Sequence, residues 1–136
     1  MSNLPLPSHL LEQLSQTEQN PRFHAEGSVL AHTEMVLEKF HELKGEFSLS
    51  ESEQKVLYWA SIVHDLGKIP NTVNVAGRWK APGHERAGVP LARNILLAQP
   101  DISTAERHQI LDLVRWHGVP LLGRSDCRGR GPPRPS

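Results

Sequence analysis

The chain has 136 residues, enough for one domain with a real core and too few for two. Fifteen basic residues balance fifteen acidic ones, so no overall field steers the protein to nucleic acid or to a membrane. A lone cysteine, Cys127, excludes an internal disulfide and fits a reducing cytoplasm, the start Met1-Ser2-Asn3-Leu4-Pro5 carries no charged-then-apolar leader pattern, and no apolar run approaches the ~20 residues that span a bilayer.

The pattern predicts an all-α domain of about five helices. The first runs from Ser8 to Gln19, with Leu10, Leu11 and Leu14 on one face, and Pro21 stops it. Residues 21–26 form a loop. The second helix begins near Gly27 and ends before Gly45, with Val29, His32, Val36 and Phe40 at helical spacing. The third opens on a capping box, Ser50-Glu51-Ser52-Glu53. It continues through Val56, Leu57, Ala60 and Val63 and closes at Gly67, read as a left-handed C-cap. Residues 69–83 hold two Pro and two Gly and read as a long loop, with an alternation around Val73, Val75 and Trp79 that permits a small ribbon. The fourth helix spans His84 to Gln99, and Pro90 in its interior predicts a kink or a break. The fifth opens on a second box, Ser103-Thr104-Ala105-Glu106, and closes at Gly118. The domain is expected to cover residues 1–122. Residues 123–136 are rich in Arg, Gly and Pro and lack the apolar side chains that would offset ordering entropy, so they read as a disordered tail.

Eight histidines are many for this length. His32 and His64 share the apolar faces of the second and third helices, and His117 aligns with Ile110, Leu113 and Val114 on the fifth. His84 follows Gly83 at a helix start, where backbone N–H groups favour anions. A single inward histidine is ordinarily a hydrogen-bonded core residue. Three of them, with Asp65 adjacent to His64, need either three separate partners or one metal ion, since two neighbouring polar groups are costly to bury unmet. A mixed nitrogen and oxygen set suits Mn, Fe, Co, Ni or Zn better than Ca, and admits Mg if oxygen and water ligands dominate. His9, His41 and His108 read as solvated. Trp59, Trp79 and Trp116 read as packing residues, with base stacking the alternative for Trp79. His24 and Glu26 lie close enough in sequence to support His32.

The order of these elements resembles a known family. A spaced His followed by His64-Asp65-Leu66-Gly67-Lys68 is similar to the signature of the HD superfamily of metal-dependent phosphohydrolases. The stretch Asn20-Pro21-Arg22-Phe23-His24-Ala25-Glu26-Gly27-Ser28-Val29-Leu30-Ala31-His32-Thr33 resembles the HD domains of bacterial tRNA nucleotidyltransferases, as do Gly83-His84-Glu85-Arg86-Ala87-Gly88 and Trp116-His117-Gly118. The resemblance covers residues 20–120. It implies a single helical HD domain that holds a divalent metal through His32, His64 and Asp65. It implies Lys68 near the substrate phosphate, and His84 and His117 at a second metal or at the phosphate. The implied chemistry is attack on a phosphoester by a metal-activated water, with Asp65 orienting the water and a protonated His84 or His117 stabilising the leaving oxygen.

The family's fourth ligand is an aspartate on a later helix, and the segment that should precede it is not found here. Asp126, the only acidic residue after His117, either reaches the metal from a short tail or is solvated, and Asp112 lies on a polar face. Three protein ligands and water still hold a catalytic metal. The leading reading is therefore a cytoplasmic metal-dependent phosphohydrolase acting on a nucleotide or nucleotide-like phosphoester. The alternative is a non-catalytic or degraded HD module that binds nucleotide or RNA, or a truncated member of the family. Arg124, Arg128, Arg130 and Arg134 are either solvated or make weak, salt-sensitive phosphate contacts.

Overall fold

A computed structural model describes residues 2–19 and 27–117. Its first helix, α1 (Ser8–Gln16), buries Leu10 and Leu14, one turn apart. It stops three residues short of the expected end. Thr17 turns extended, the Val29 amide donates to the Thr17 carbonyl at 2.9 Å, and Glu18 bridges Ser28. A β-branched Thr17 and the approach to Pro21 both disfavour further helix. The early exit carries Gln19 inward, to 5% exposure.

Helix α2 (Val29–Leu43) starts at Ser28, whose hydroxyl accepts from the Ala31 amide at 3.1 Å. Val29 and Thr33 are its deepest residues, while His32, Val36 and Phe40 lie half-buried along its flank. Helix α3 (Glu51–Val63) forms the expected capping box at Ser50 and Glu53 and buries Val56, Trp59, Ala60, Ile62 and Val63. It ends at Val63 with His64 as its C-cap, and Gly67 is not left-handed (φ −66°). Glycine is required there for a different reason. A Cβ on Gly67 would overlap the His84 carbonyl oxygen and approach the Gly88 nitrogen to 2.6 Å.

A single turn, α4 (Lys68–Asn71), leads into the predicted ribbon, β1 (Val73–Val75) antiparallel to β2 (Arg78–Lys80). Ala76 and Gly77, both at positive φ, make a two-residue hairpin turn. Helix α5 (His84–Leu97) passes through Pro90 without the break that was one of the two outcomes expected there. The proline forfeits one hydrogen bond, to the Arg86 carbonyl, but Gly88, Ala92, Ile95 and Leu96 are buried, and this tertiary packing outweighs the local loss.

Helix α6 (Thr104–Trp116) forms its capping box at Ser103 and Glu106. The same Glu106 carboxylate accepts from the Ser52 hydroxyl at 2.6 Å and pairs with Lys55 at 3.3 Å, tying α6 to α3. Neighbouring helices pack in the order α1, α2, α3, α6, α5, with α4 against α5. Leu14, Val29, Ile62, Val63, Leu66, Leu96, Ile110 and Val114 form the centre of the core. Trp59 packs as expected, but Trp116 is 52% exposed and stacks under Arg115 at 4.0 Å. Two residues past Val114, it cannot share that residue's face. Leu57 and Leu113, expected on buried stripes, are also exposed. Leu111 joins Ile110 and Val114 on the buried face and shifts its centre away from Leu113. Among the described residues no helix is long and apolar enough to cross a membrane.

Candidate metal centre

Five polar side chains converge where the helices end. His64 caps the C-terminus of α3 and Asp65 follows it. His84 is the first residue of α5, His117 caps the C-terminus of α6, and His32 lies in the second turn of α2. Helix ends leave backbone carbonyls without intrahelical partners, and the histidines use nearby carbonyls. Nδ1 of His64 meets the Ser61 carbonyl at 3.0 Å, Nδ1 of His84 the Ala81 carbonyl at 3.0 Å, and Nδ1 of His117 the Val114 carbonyl at 2.7 Å. A carbonyl only accepts, so each Nδ1 carries the hydrogen. Each Nε2 is thereby aimed at the centre, the arrangement that orients a metal-ligating imidazole.

Asp65 is the hub. It is 3% exposed. Its Oδ2 lies 3.2 Å from His64 Nε2 and 3.7 Å from His32 Nε2, and its Oδ1 lies 3.3 Å from His84 Nε2 and 3.4 Å from His117 Nε2. The two oxygens thus serve two trios, His32–His64–Asp65 and Asp65–His84–His117, whose donor atoms all lie within 4.8 Å of one another. Burial pushes the Asp65 carboxyl up. The charge of His64 and the hydrogen bonds of His117, His64 and His84 outweigh it and hold the group well below its ordinary 3.8. Burial likewise lowers His117. Its hydrogen bonds to Asp65 and the Val114 carbonyl, with the charges of Asp65 and Glu85, raise it above 6.5 on balance.

The donor set fits a divalent transition metal. His84 Nε2 and His117 Nε2 stand 3.2 Å apart. With both Nδ1 atoms protonated, two lone pairs face each other unless a proton or a cation lies between them. Ligands bound to one ion at about 2.1 Å lie about 3.0–3.4 Å apart, close to the separations found here. Four imidazoles and one carboxylate favour a borderline-soft ion over Ca or Mg.

Lys68, at the start of α4, brings Nζ to 3.5 Å from Asp65 Oδ2 and donates to Gln19 Oε1 at 2.7 Å. The structure therefore gathers His32, His64, Asp65, Lys68, His84 and His117 at one place. Asp126, His24 and Glu26 lie outside the described residues, as do Cys127 and the boundary at 122/123. Asp112 is exposed beside His108 and Arg115 and is not among the donors that converge on Asp65. His9, His41 and His108 are exposed. Gln19 was missed by the sequence reading, because a helix drawn to Gln19 places it on a surface terminus. The signal available was Pro21 two residues on, which makes the end of that helix uncertain.

A family model described as HD domain matches residues 29–134. No curated protein and no solved structure matches the chain.

Proposed function

The chain belongs to the HD domain family, and on that premise we propose that it is a metal-dependent phosphohydrolase that cleaves a phosphoester of a nucleotide or nucleotide-like substrate. The observation that carries the reading is the Asp65 carboxylate, buried and ringed by four imidazole Nε2 atoms at 3.2–3.7 Å. The resemblance of residues 20–33 to tRNA-processing HD domains supports a nucleotide-like substrate, by analogy of fold alone.

In this reading His32, His64 and Asp65 hold a divalent ion, with Asp126 as the candidate for a further ligand. A bound ion supplies Lewis-acid polarisation of the phosphoryl oxygen and acidifies a water from 15.7 towards ~7. The chain's own groups do the rest. Asp65, held ionised by its neighbours, orients the attacking water through whichever lone pairs ligation leaves. Lys68 Nζ places a positive charge beside the cluster to receive the phosphate oxygens. His84 and His117 either complete a second ligand trio or act on the leaving group. In the latter case the proton that Asp65 favours at His117 Nε2 passes to the leaving oxygen.

The test is the metal content of the purified protein by elemental analysis, for wild type and His64→Ala side by side, followed by a phosphoester screen with the metal found. Near-stoichiometric transition metal in wild type that is reduced in the variant, with metal-dependent phosphate release, is expected. No metal in either protein after incubation with Mn or Ni would overturn the reading.

A further inference from the structure

A cavity of about 570 Å³ opens beside the metal cluster, between the segment after α1, the α4 turn and the ribbon, and it shares Lys68 and His84 with the cluster. A single phosphate would occupy a small part of it, and its size is that of ordinary small-ligand sites, roughly 300–1,000 Å³. Its walls are built unevenly. Val73, Val75, Trp79 and Pro82 supply an apolar surface. The ribbon register pairs Val73 with Lys80 and Val75 with Arg78, and directly opposed residues share a face of a sheet. Two valines and two cations therefore share one face of the ribbon, with Trp79 and Asn74 on the other, and all but Asn74 line the cavity. Arg78 and Lys80 form no ion pair among the described residues, and Glu18 is the one acidic residue in the lining.

Gln19 gives the second, independent observation. It is 5% exposed and lines the cavity. Lys68 donates to its Oε1, which fixes the amide orientation and leaves Nε2 as the other end. That Nε2 is buried and has no hydrogen-bond partner among the described residues, and neither has Thr72 Oγ1, in the same lining. Buried donors are nearly always met, and the Gln19 amide is held in place at one end and, among the described residues, unmet at the other.

We propose that this cavity recognises the organic part of the substrate, and that the substrate is a nucleotide carrying a second phosphate. The scissile phosphate lies at Lys68 and the cluster, and here the proposal rests on the phosphohydrolase reading. The nucleoside lies against the apolar lining that Val73, Val75 and Pro82 supply. Gln19 Nε2 and the Thr72 hydroxyl, a neutral pair, hydrogen-bond its ribose or base. Arg78 and Lys80 hold the second phosphate on the ribbon, where a bidentate guanidinium contact and an ammonium supply charge-assisted bonds.

The experiment measures binding of AMP, ADP and adenosine 3′,5′-bisphosphate to the full metal-loaded chain. The readout is the tryptophan-fluorescence change in a stopped-flow instrument, taken before turnover. At least one two-phosphate ligand is expected to half-saturate at about tenfold lower concentration than AMP. That preference should collapse to near unity in Arg78→Ala/Lys80→Ala, with helical circular dichroism unchanged. Gln19→Leu is expected to weaken all three ligands alike. Equal half-saturation in wild type, no saturable binding of any ligand, or a preference that survives the double substitution would overturn the proposal. Release of p-nitrophenol from p-nitrophenyl phosphate by wild type tests the hydrolase reading separately. Release without a two-phosphate preference sinks only the present inference, whereas the preference without release of phosphate from p-nitrophenyl phosphate or from any of the three nucleotides sinks the hydrolase reading and the scissile-phosphate assignment and leaves only the binding site.

Discussion

Gly67 and Gly88 meet backbone to backbone, at the point where the turn after His64-Asp65 lies against the first turns of α5. A Cβ on Gly67 would come to 2.6 Å from the Gly88 nitrogen and would overlap the His84 carbonyl. A Cβ on Gly88 would sit 3.1 Å from the Gly67 nitrogen and 3.4 Å from Val114 Cγ1. This contact brings His84 Nε2 within 3.3 Å of Asp65 Oδ1, so a packing detail sets a distance in the site. Gly67→Ala must push α5 outward. Destabilisation of about 1–3 kcal/mol or more is expected together with weakened metal binding, whereas Gly88→Ala, with softer contacts, should cost less. Thermal melts and metal titration of the two variants check both, and an unchanged Gly67→Ala protein would contradict the close approach.

Asp65 turns one oxygen to His32 and His64 and the other to His84 and His117. Asp65→Ala should therefore abolish metal binding on both sides and reduce turnover below detection. His32→Ala and His84→Ala each leave the opposite trio intact and should weaken binding without abolishing it. Elemental analysis and metal titration of the three variants separate these outcomes. Full metal-dependent activity in Asp65→Ala would remove it from the site.

The helix starts were legible because capping boxes are local chemistry: Ser50 and Glu53, then Ser103 and Glu106, each satisfy helix-end N–H groups within four residues. The inward histidines were legible as well, since His32, His64 and His117 follow helical spacing. What was not legible depended on partners distant in sequence. Gly67 reads as a left-handed cap from its position, yet it is small because Gly88 lies against it. Pro90 reads as a kink or a break, yet buried contacts on either side of it carry α5 through without a break. Gln19 reads as the end of a surface helix, yet the Glu18–Ser28 bridge ends that helix early and turns the side chain onto Lys68. A sequence shows such pairings only when both members are already under suspicion.

Glu106 gives the fold an acid-sensitive clamp between α3 and α6. The Ser52 hydroxyl, then the Ser103 backbone, then Lys55 outweigh burial and hold its carboxyl at about 2 rather than 4.5. A depressed folded-state pKa contributes stability that is present above 4.5 and is lost as the pH falls through about 2. Glu106→Gln should therefore be less stable than wild type at neutral pH, and the gap should close between pH 4.5 and 2. Denaturant melts across that range test it, and a gap independent of pH would show that the carboxylate charge is not what the clamp uses.

Removing metal should destabilise the domain, because the cluster joins the ends of α3, α5 and α6 and the second turn of α2. An ion that binds only the folded state, present at a hundred times its dissociation constant, adds about 2.7 kcal/mol, which for a domain of this size is a melting shift on the order of 10 °C. Ligation requires neutral imidazoles, and Asp65 favours the protonated form of His117, so protons compete with the ion. The stabilisation by metal should therefore shrink as the pH falls below neutrality. Melts with excess metal and with chelator, repeated across that range, read the difference directly. In Asp65→Ala, which takes a ligand from both trios, the two curves should superimpose at every pH, and a chelator-sensitive melt in that variant would move the metal away from this cluster.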